Sequence, residues 1–191
     1  MAELIEVISC GVYHPYRLLG GERNQNCNET SKKMMDFKDP DNSGHAKAIQ
    51  YFKLLSLAKI PTIMVSGKQL VAQPFYITIV PSHHQGRISP ALRSIAENIV
   101  KSYPNGEVKL FLERTVTVPS AHKEGGDRSI DGHMKSIRVN DNNFNGRNVV
   151  LLDDVKTTGG SMSACYHLLI KAGAKVVKPF ALLETAGYEG F

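Results

Sequence analysis

The sequence predicts an α/β domain with a mainly parallel sheet. Three observations carry this. Runs of β-branched and aromatic residues alternate with helical periodicities along the chain. Residues 149–152, Val-Val-Leu-Leu, form an apolar run of the kind found in strands buried on both faces. After Gly159 and Gly160 comes a helical stretch over 161–171. It is closed by Gly173 at the position where helices accept a left-handed residue, and a last apolar run over 175–183 follows.

Taken in order, residues 4–10 read as a short apolar strand. Residues 20–43 are polar and rich in Asn, Gly and Lys, and read as loop. Ser43 is placed to cap a helix over about 45–57, where Ala48, Tyr51, Phe52 and Leu55 recur at helical spacing until Pro61 breaks the pattern. Residues 62–66 and 75–80 read as strands, and 81–89, with Ser82, His83, His84, Gly86 and Arg87, as a turn-like stretch. A helix over 90–101 has Pro90 in its first turn and Leu92, Ile95, Ala96 and Ile99 on one face. Residues 109–112 read as a strand. Residues 113–136 are long, charged and glycine-containing, and in compact domains such a segment is either functional or disordered. The whole chain, 1–191, is expected to form one domain, with 75–185 as its core and about 1–60 partly an N-terminal extension.

Composition narrows the class. The chain has 191 residues, 42% of them hydrophobic, enough for a core. A net charge of +5 suits an anionic ligand or a nucleic acid without choosing between them. Cys10, Cys27 and Cys165 are odd in number and far apart, which argues against a disulfide framework and for a reduced, cytoplasmic setting. The spacing of Cys10, His14 and Cys27 fits no usual zinc pattern. Glu3 and Glu6 stand where a secretory signal would carry Lys or Arg, and no apolar run approaches the roughly 18 residues of a membrane span. No membrane partner is expected.

The chemistry concentrates in residues 149–161. An apolar strand ends in two adjacent carboxylates, Asp153 and Asp154. Val155, Lys156, Thr157, Thr158, Gly159, Gly160 and Ser161 lead from it into a helix. Ligands of open α/β sheets sit outside the carboxyl ends of the strands. Loop amides and a helix N-terminus bind anions there, glycines allow close approach, and Thr157, Thr158 and Ser161 add hydroxyls. Two acids beside an anion cradle would repel the same ligand unless it also presents hydroxyls or a metal. A ribose 5-phosphate offers phosphate at one end and a diol at the other. The segment is neither a Walker loop nor a dinucleotide fingerprint, since it lacks both glycine patterns. The bland alternative is a strand, a capped turn and a helix.

The same segment closely resembles the 5-phosphoribosyl 1-pyrophosphate (PRPP) motif of type I phosphoribosyltransferases: apolar strand, two acids, an apolar residue, any residue, Thr-Thr-Gly. The resemblance spans roughly residues 75–185, with only this motif specific. It implies that family's fold, a central mainly parallel sheet flanked by helices with a small hood from the N-terminal region and the C-terminal tail. It further implies that Asp153 and Asp154 hold the ribose hydroxyls and that residues 156–161 wrap the 5-phosphate. Pro81, Ser82 and His83 stand at the pyrophosphate loop, and residues 114–138 at the loop that closes over substrate. Mg²⁺ is the implied cofactor, met by Asp153 and Asp154 mainly through PRPP and water. Among cations for the pyrophosphate, Arg114 is the catalytic candidate, followed by Arg87, Lys123 and Arg128. His83 and His84, being adjacent, are expected to point apart.

A weaker resemblance, at residues 112–115, 127–128 and 137–139, is to ComF-like competence proteins. Their paired Cys-x-x-Cys ligands and their Arg-Gly-Phe-Asn-Gln run are missing here.

Three functions follow as expectations. The first is an enzyme moving phosphoribosyl from PRPP to a nitrogenous base or amine with release of pyrophosphate, as a homodimer. The second is a non-catalytic PRPP or nucleotide sensor that binds nucleic acid. The third is a ComF-like accessory protein. Tyr188 and Phe191 are candidates to stack on a base.

Overall fold

A computed structural model of the chain describes residues 2–18, 20–118 and 129–187. In chain order the elements are β1 (Ile8–Ser9), β2 (Val12–Tyr13), α1 (Glu29–Lys38), α2 (His45–Lys59), β3 (Met64–Val65), β4 (Lys68–Gln69), β5 (Phe75–Ile79), α3 (Pro90–Ser102), β6 (Gly106–Val108), β7 (Leu112–Arg114), α4 (Ile130–Lys135), β8 (Ile137–Val139), β9 (Asn148–Lys156), α5 (Gly160–Lys171) and β10 (Val177–Thr185).

One sheet carries the order β1-β10-β9-β5-β6, with β2 continuing β1 along the edge of β10. Every pairing in it is parallel. The central strands alternate between two buried faces, as a period of two requires. Phe75, Ile77, Ile79, Val150, Leu152 and Phe180 pack with α1, α2 and α3. Tyr76, Val149, Leu151, Val177 and Ala181 pack on the other side with Met162, Cys165 and Leu169 of α5. This is the α/β, mainly parallel architecture that the alternating pattern predicts. Among the described residues no helix is long and apolar enough to cross a membrane.

Several expectations are corrected. The polar stretch 20–43 is not all loop, because α1 lies inside it. Asn28 caps that helix by accepting from the Ser31 N–H, and Ser31, Met34 and Phe37 are buried at a three-residue spacing. Phe37 meets Phe52 edge to face at 5.5 Å. Five charged residues among the ten of α1 hid that narrow stripe. Ser43 does not cap α2, whose N-cap is Gly44; Asn42 Oδ1 accepts from the Gly44 N–H. The strand expected at 62–66 shrinks to β3, which pairs antiparallel with β4 outside the main sheet. The first strand is two short pieces, β1 and β2, rather than 4–10. The strand expected at 109–112 is displaced. β6 precedes it and β7 follows, because the chain leaves the main sheet after the Lys109 N–H bonds to Ile77 O. Residues 113–136 are not one loop either: β7 pairs antiparallel with β8, and α4 packs against α5.

One close approach constrains β6. A Cβ on Gly106 would lie 2.4 Å from Cζ of the fully buried Phe75 ring. Gly106→Ala is expected to destabilise the fold by about 1–3 kcal/mol through overpacking, read as a lowered midpoint of denaturant unfolding with unchanged slope.

Candidate functional site

The sheet order locates the site. From β5 the chain passes through α3 to β6 on one side. It later returns to β9 on the other side of β5 and passes through α5 to β10. The order reverses between β5 and β9, and the crevice outside their carboxyl ends is where open α/β sheets bind ligands. Three pieces meet there: the loop after β5, the end of β9 with the loop into α5, and the last turn of α1.

β9 is longer than its apolar run suggested. β5 ends opposite Leu152, so residues 153–156 continue with only β10 beside them. Two amides here turn to side chains: Asp153 Oδ1 accepts from the Asp154 N–H at 2.8 Å, and Asp154 Oδ1 from the Val155 N–H at 2.5 Å. Strand alternation sends the two acids to opposite faces. Asp153 lies on the α5 side, in the field of Arg114 and Cys165. Asp154 lies on the α1 side, where Lys38 Nζ stands 3.5 Å from its Oδ2. Burial, and then the charge of Asp154, push the Asp153 carboxyl up to about 8, while Lys38 and Arg114 pull the other way.

Tyr13 completes the α1 side; burial raises its phenol and Lys38 opposes that shift. Nothing local marked Lys38 or Tyr13 in the sequence, since each lies more than a hundred residues from Asp154. The Lys38–Asp154 pair is partly exposed, with side-chain exposures of 45% and 27%. Lys38→Gln is therefore expected to change stability by no more than about 1 kcal/mol, within a small shift of the unfolding midpoint.

After β9, Lys156 pairs with Glu184 on β10. Thr157 and Thr158 are exposed, and Gly159 takes φ +81 at the N-cap of α5. A side chain there would be strained, which is why glycine stands at this turn. The first-turn amides of Gly160, Ser161 and Met162 have no intrahelical acceptor and face the loop, as any helix start leaves them. Val155 is buried in the core beneath.

The loop after β5 is turn-like, as residues 81–89 read in the sequence. Pro81 is buried, and Ser82 to Arg87 fold on themselves. The Ser82 N–H donates to Arg87 O, His84 N–H to Ser82 Oγ, and Arg87 N–H to His84 O. Gln85 N–H donates to Thr117 Oγ1, and Gly86 N–H to Arg114 O. The amides of Ser82 and His84 thus have acceptors within the chain. The rings of His83 and His84 do not point apart. Their centroids are 4.0 Å apart, because the backbone turns here instead of running extended.

Arg114 is turned inward. It is only 2% exposed, and it donates from Nε to Ser82 O at 3.0 Å and from Nη1 to Ser136 Oγ at 2.6 Å. Burial lowers its pKa from the ordinary guanidinium value. The sequence made it the leading cation for a pyrophosphate, whereas the fold places it behind the loop. Arg87 is exposed beside a cavity of about 190 Å³ between the loop and β7. Lys123, Arg128, Tyr188 and Phe191 lie outside the described residues.

No protein-family model matches the chain. Curated relatives match parts of it. It is 39% identical to an adenine phosphoribosyltransferase of Agathobacter rectalis over 67 residues, 35% of each chain. It is 46% identical to that of Caenorhabditis elegans over 68 residues, 36% of this chain and 34% of the relative. To that of Mycobacterium tuberculosis it is 34% identical over 79 residues, 41% and 35%. The chain spans about a third of the length of these relatives. Among solved structures, adenine phosphoribosyltransferase of Trypanosoma brucei in complex with AMP, pyrophosphate and ribose-5-phosphate aligns over 96% of this chain and 87% of its own, at 12% identity and a TM-score of 0.41. Over these parts, which amount to about a third of each relative, the chain is similar to adenine phosphoribosyltransferases.

Proposed function

We propose that the chain is a phosphoribosyltransferase. It would bind PRPP with Mg²⁺ at the carboxyl ends of β5 and β9 and join the phosphoribosyl group to a ring nitrogen of a base. The observation that carries this reading is β9 itself: two carboxylates, then a hydroxyl- and glycine-rich loop, then the open amides of α5, all at the point where the strand order reverses. The relatives named for adenine make adenine the first acceptor to test.

In this reaction the bond from ribose C1 to the pyrophosphate oxygen breaks, a C1–N bond forms, and the acceptor nitrogen loses its proton. The loop at 157–161 and the α5 amides hold the 5-phosphate as a fixed anchor. Asp153 and Asp154 receive the ribose hydroxyls. With its carboxyl held near 8, Asp153 carries a proton at neutral pH, so it can donate to one hydroxyl oxygen as well as accept. Pyrophosphate would lie over the loop after β5, against the side chains of His83, His84 and Arg87.

Among the described residues no three His, Cys, Asp or Glu side chains cluster. Mg²⁺ would be held mainly by oxygens of PRPP and water, and Asp153 and Asp154 are the residues that would face it. When bound, the ion supplies charge neutralisation at the pyrophosphate oxygens.

The test is pyrophosphate release from PRPP with Mg²⁺ across a panel of adenine, hypoxanthine, guanine, uracil and orotate. Release that depends on one base supports the enzyme. PRPP binding without release on any base overturns catalysis and leaves a binding protein.

A further inference from the structure

We propose that Arg114 is a positioning residue, which together with the strand extension beyond it holds the loop after β5 in shape instead of contacting the substrate. This rests on the reading above, in which that loop meets the pyrophosphate. Four hydrogen bonds join residues 114–118 to residues 82–86. Arg114 Nε donates to Ser82 O at 3.0 Å, Gly86 N–H to Arg114 O at 3.0 Å, Gln85 N–H to Thr117 Oγ1 at 3.1 Å, and Val118 N–H to His83 O at 2.9 Å. The loop therefore has a template on one side, made from main-chain groups and two side chains. On the other flank of the same contact the loop borders a cavity of about 190 Å³ lined by Gly86, Arg87, Ile88, Leu110 and Leu112. The buried guanidinium also donates to Ser136 Oγ just before β8, which ties the loop to the β7–β8 hairpin. A guanidinium engaged in this way has its Nε and Nη1 donors committed within the protein, and its contribution to pyrophosphate binding passes through Ser82 and Gly86.

The full chain is examined in three forms: wild type, Arg114→Gln, and Thr117→Val. Thr117 is exposed, and its change removes one acceptor without disturbing the core. The first readout needs no ligand. Hydrogen exchange at the Gln85 and Gly86 amides is expected to quicken about fivefold or more in both variants, as loss of about 1 kcal/mol of local bonding implies. The second compares PRPP with ribose 5-phosphate, which lacks the pyrophosphate, by calorimetry with Mg²⁺. Both variants are expected to weaken PRPP about fivefold or more and to leave ribose 5-phosphate within about twofold.

If Arg114→Gln weakens PRPP while Thr117→Val does not, Arg114 contacts the ligand and the positioning role is overturned. Unchanged exchange in Thr117→Val overturns it independently, even if Arg114→Gln fails to fold. If wild type binds neither ligand while exchange responds as expected, the proposed function fails and the positioning of the loop stands.

Discussion

Asp153→Asn with Asp154→Asn is expected to weaken binding of PRPP with Mg²⁺ by at least about a hundredfold, which calorimetry will read directly. Asp154 would accept a hydroxyl in a charge-assisted bond worth about 1.5–3 kcal/mol and the protonated Asp153 would make a neutral one worth about 0.5–1.5 kcal/mol, and the two losses together reach that factor. The folded chain should survive the change. Asn at 153 is nearly isosteric with a protonated Asp, and the side-chain oxygens of both residues can still accept from the Asp154 and Val155 amides. Single variants separate the two roles. Asp154→Asn also removes the partner of Lys38, and Asp153→Asn leaves that pair intact. A double variant that binds PRPP like wild type would remove β9 from the site and the proposed function with it.

The second large effect is on stability as pH changes. The Asp153 carboxyl sits at about 8 in the fold against an ordinary value near 3.8. Between those values the folded chain holds a proton that the unfolded chain has released. Stability from this group is therefore fully present below about pH 4 and is lost as pH rises toward 8. The slope is at most about 1.4 kcal/mol per pH unit. Unfolding midpoints of the ligand-free chain, measured from pH 5 to 8, should fall with rising pH, and Asp153→Asn should flatten that fall. At pH 8 the variant is expected to be the more stable of the two by a few kcal/mol. Identical slopes in the two proteins would show that Asp153 is charged at neutral pH. The strain behind this has a function in the proposed site: an acid kept against its solvation preference is stabilised by a ligand that gives it hydroxyls to bond.

The elements legible in the sequence were those whose pattern is local. α3 was readable from Pro90 and from Leu92, Ile95, Ala96 and Ile99, all on one face, of which Leu92, Ile95, Ala96 and Ile99 are buried. The start of β9 was readable from its apolar run, and α5 from the glycines at its two ends. α1 was missed because its buried residues are few and its surface is charged, so composition outweighed periodicity. β6 and β7 were merged into one misplaced strand because both are three residues long and neither has a full alternating period.

The candidate site divides in the same way. Residues 153–161 are contiguous, and by itself the sequence determined their chemistry: two acids, hydroxyls and glycines at the end of a buried strand. It also determined the α/β class, through the alternation of strand and helix patterns. Only the tertiary structure decided which groups face those acids. Lys38 reaches Asp154 because α1 packs across the sheet from the N-terminal region, and Arg114 lies behind the loop because β7 turns out of the main sheet to pair with β8. Such contacts join residues far apart in the chain and are selected by burial and charge in three dimensions, for which neighbouring residues carry no signal. The state of Asp153 follows from the same cause: its composition is that of any aspartate, and its proton affinity was decided by what folding placed around it.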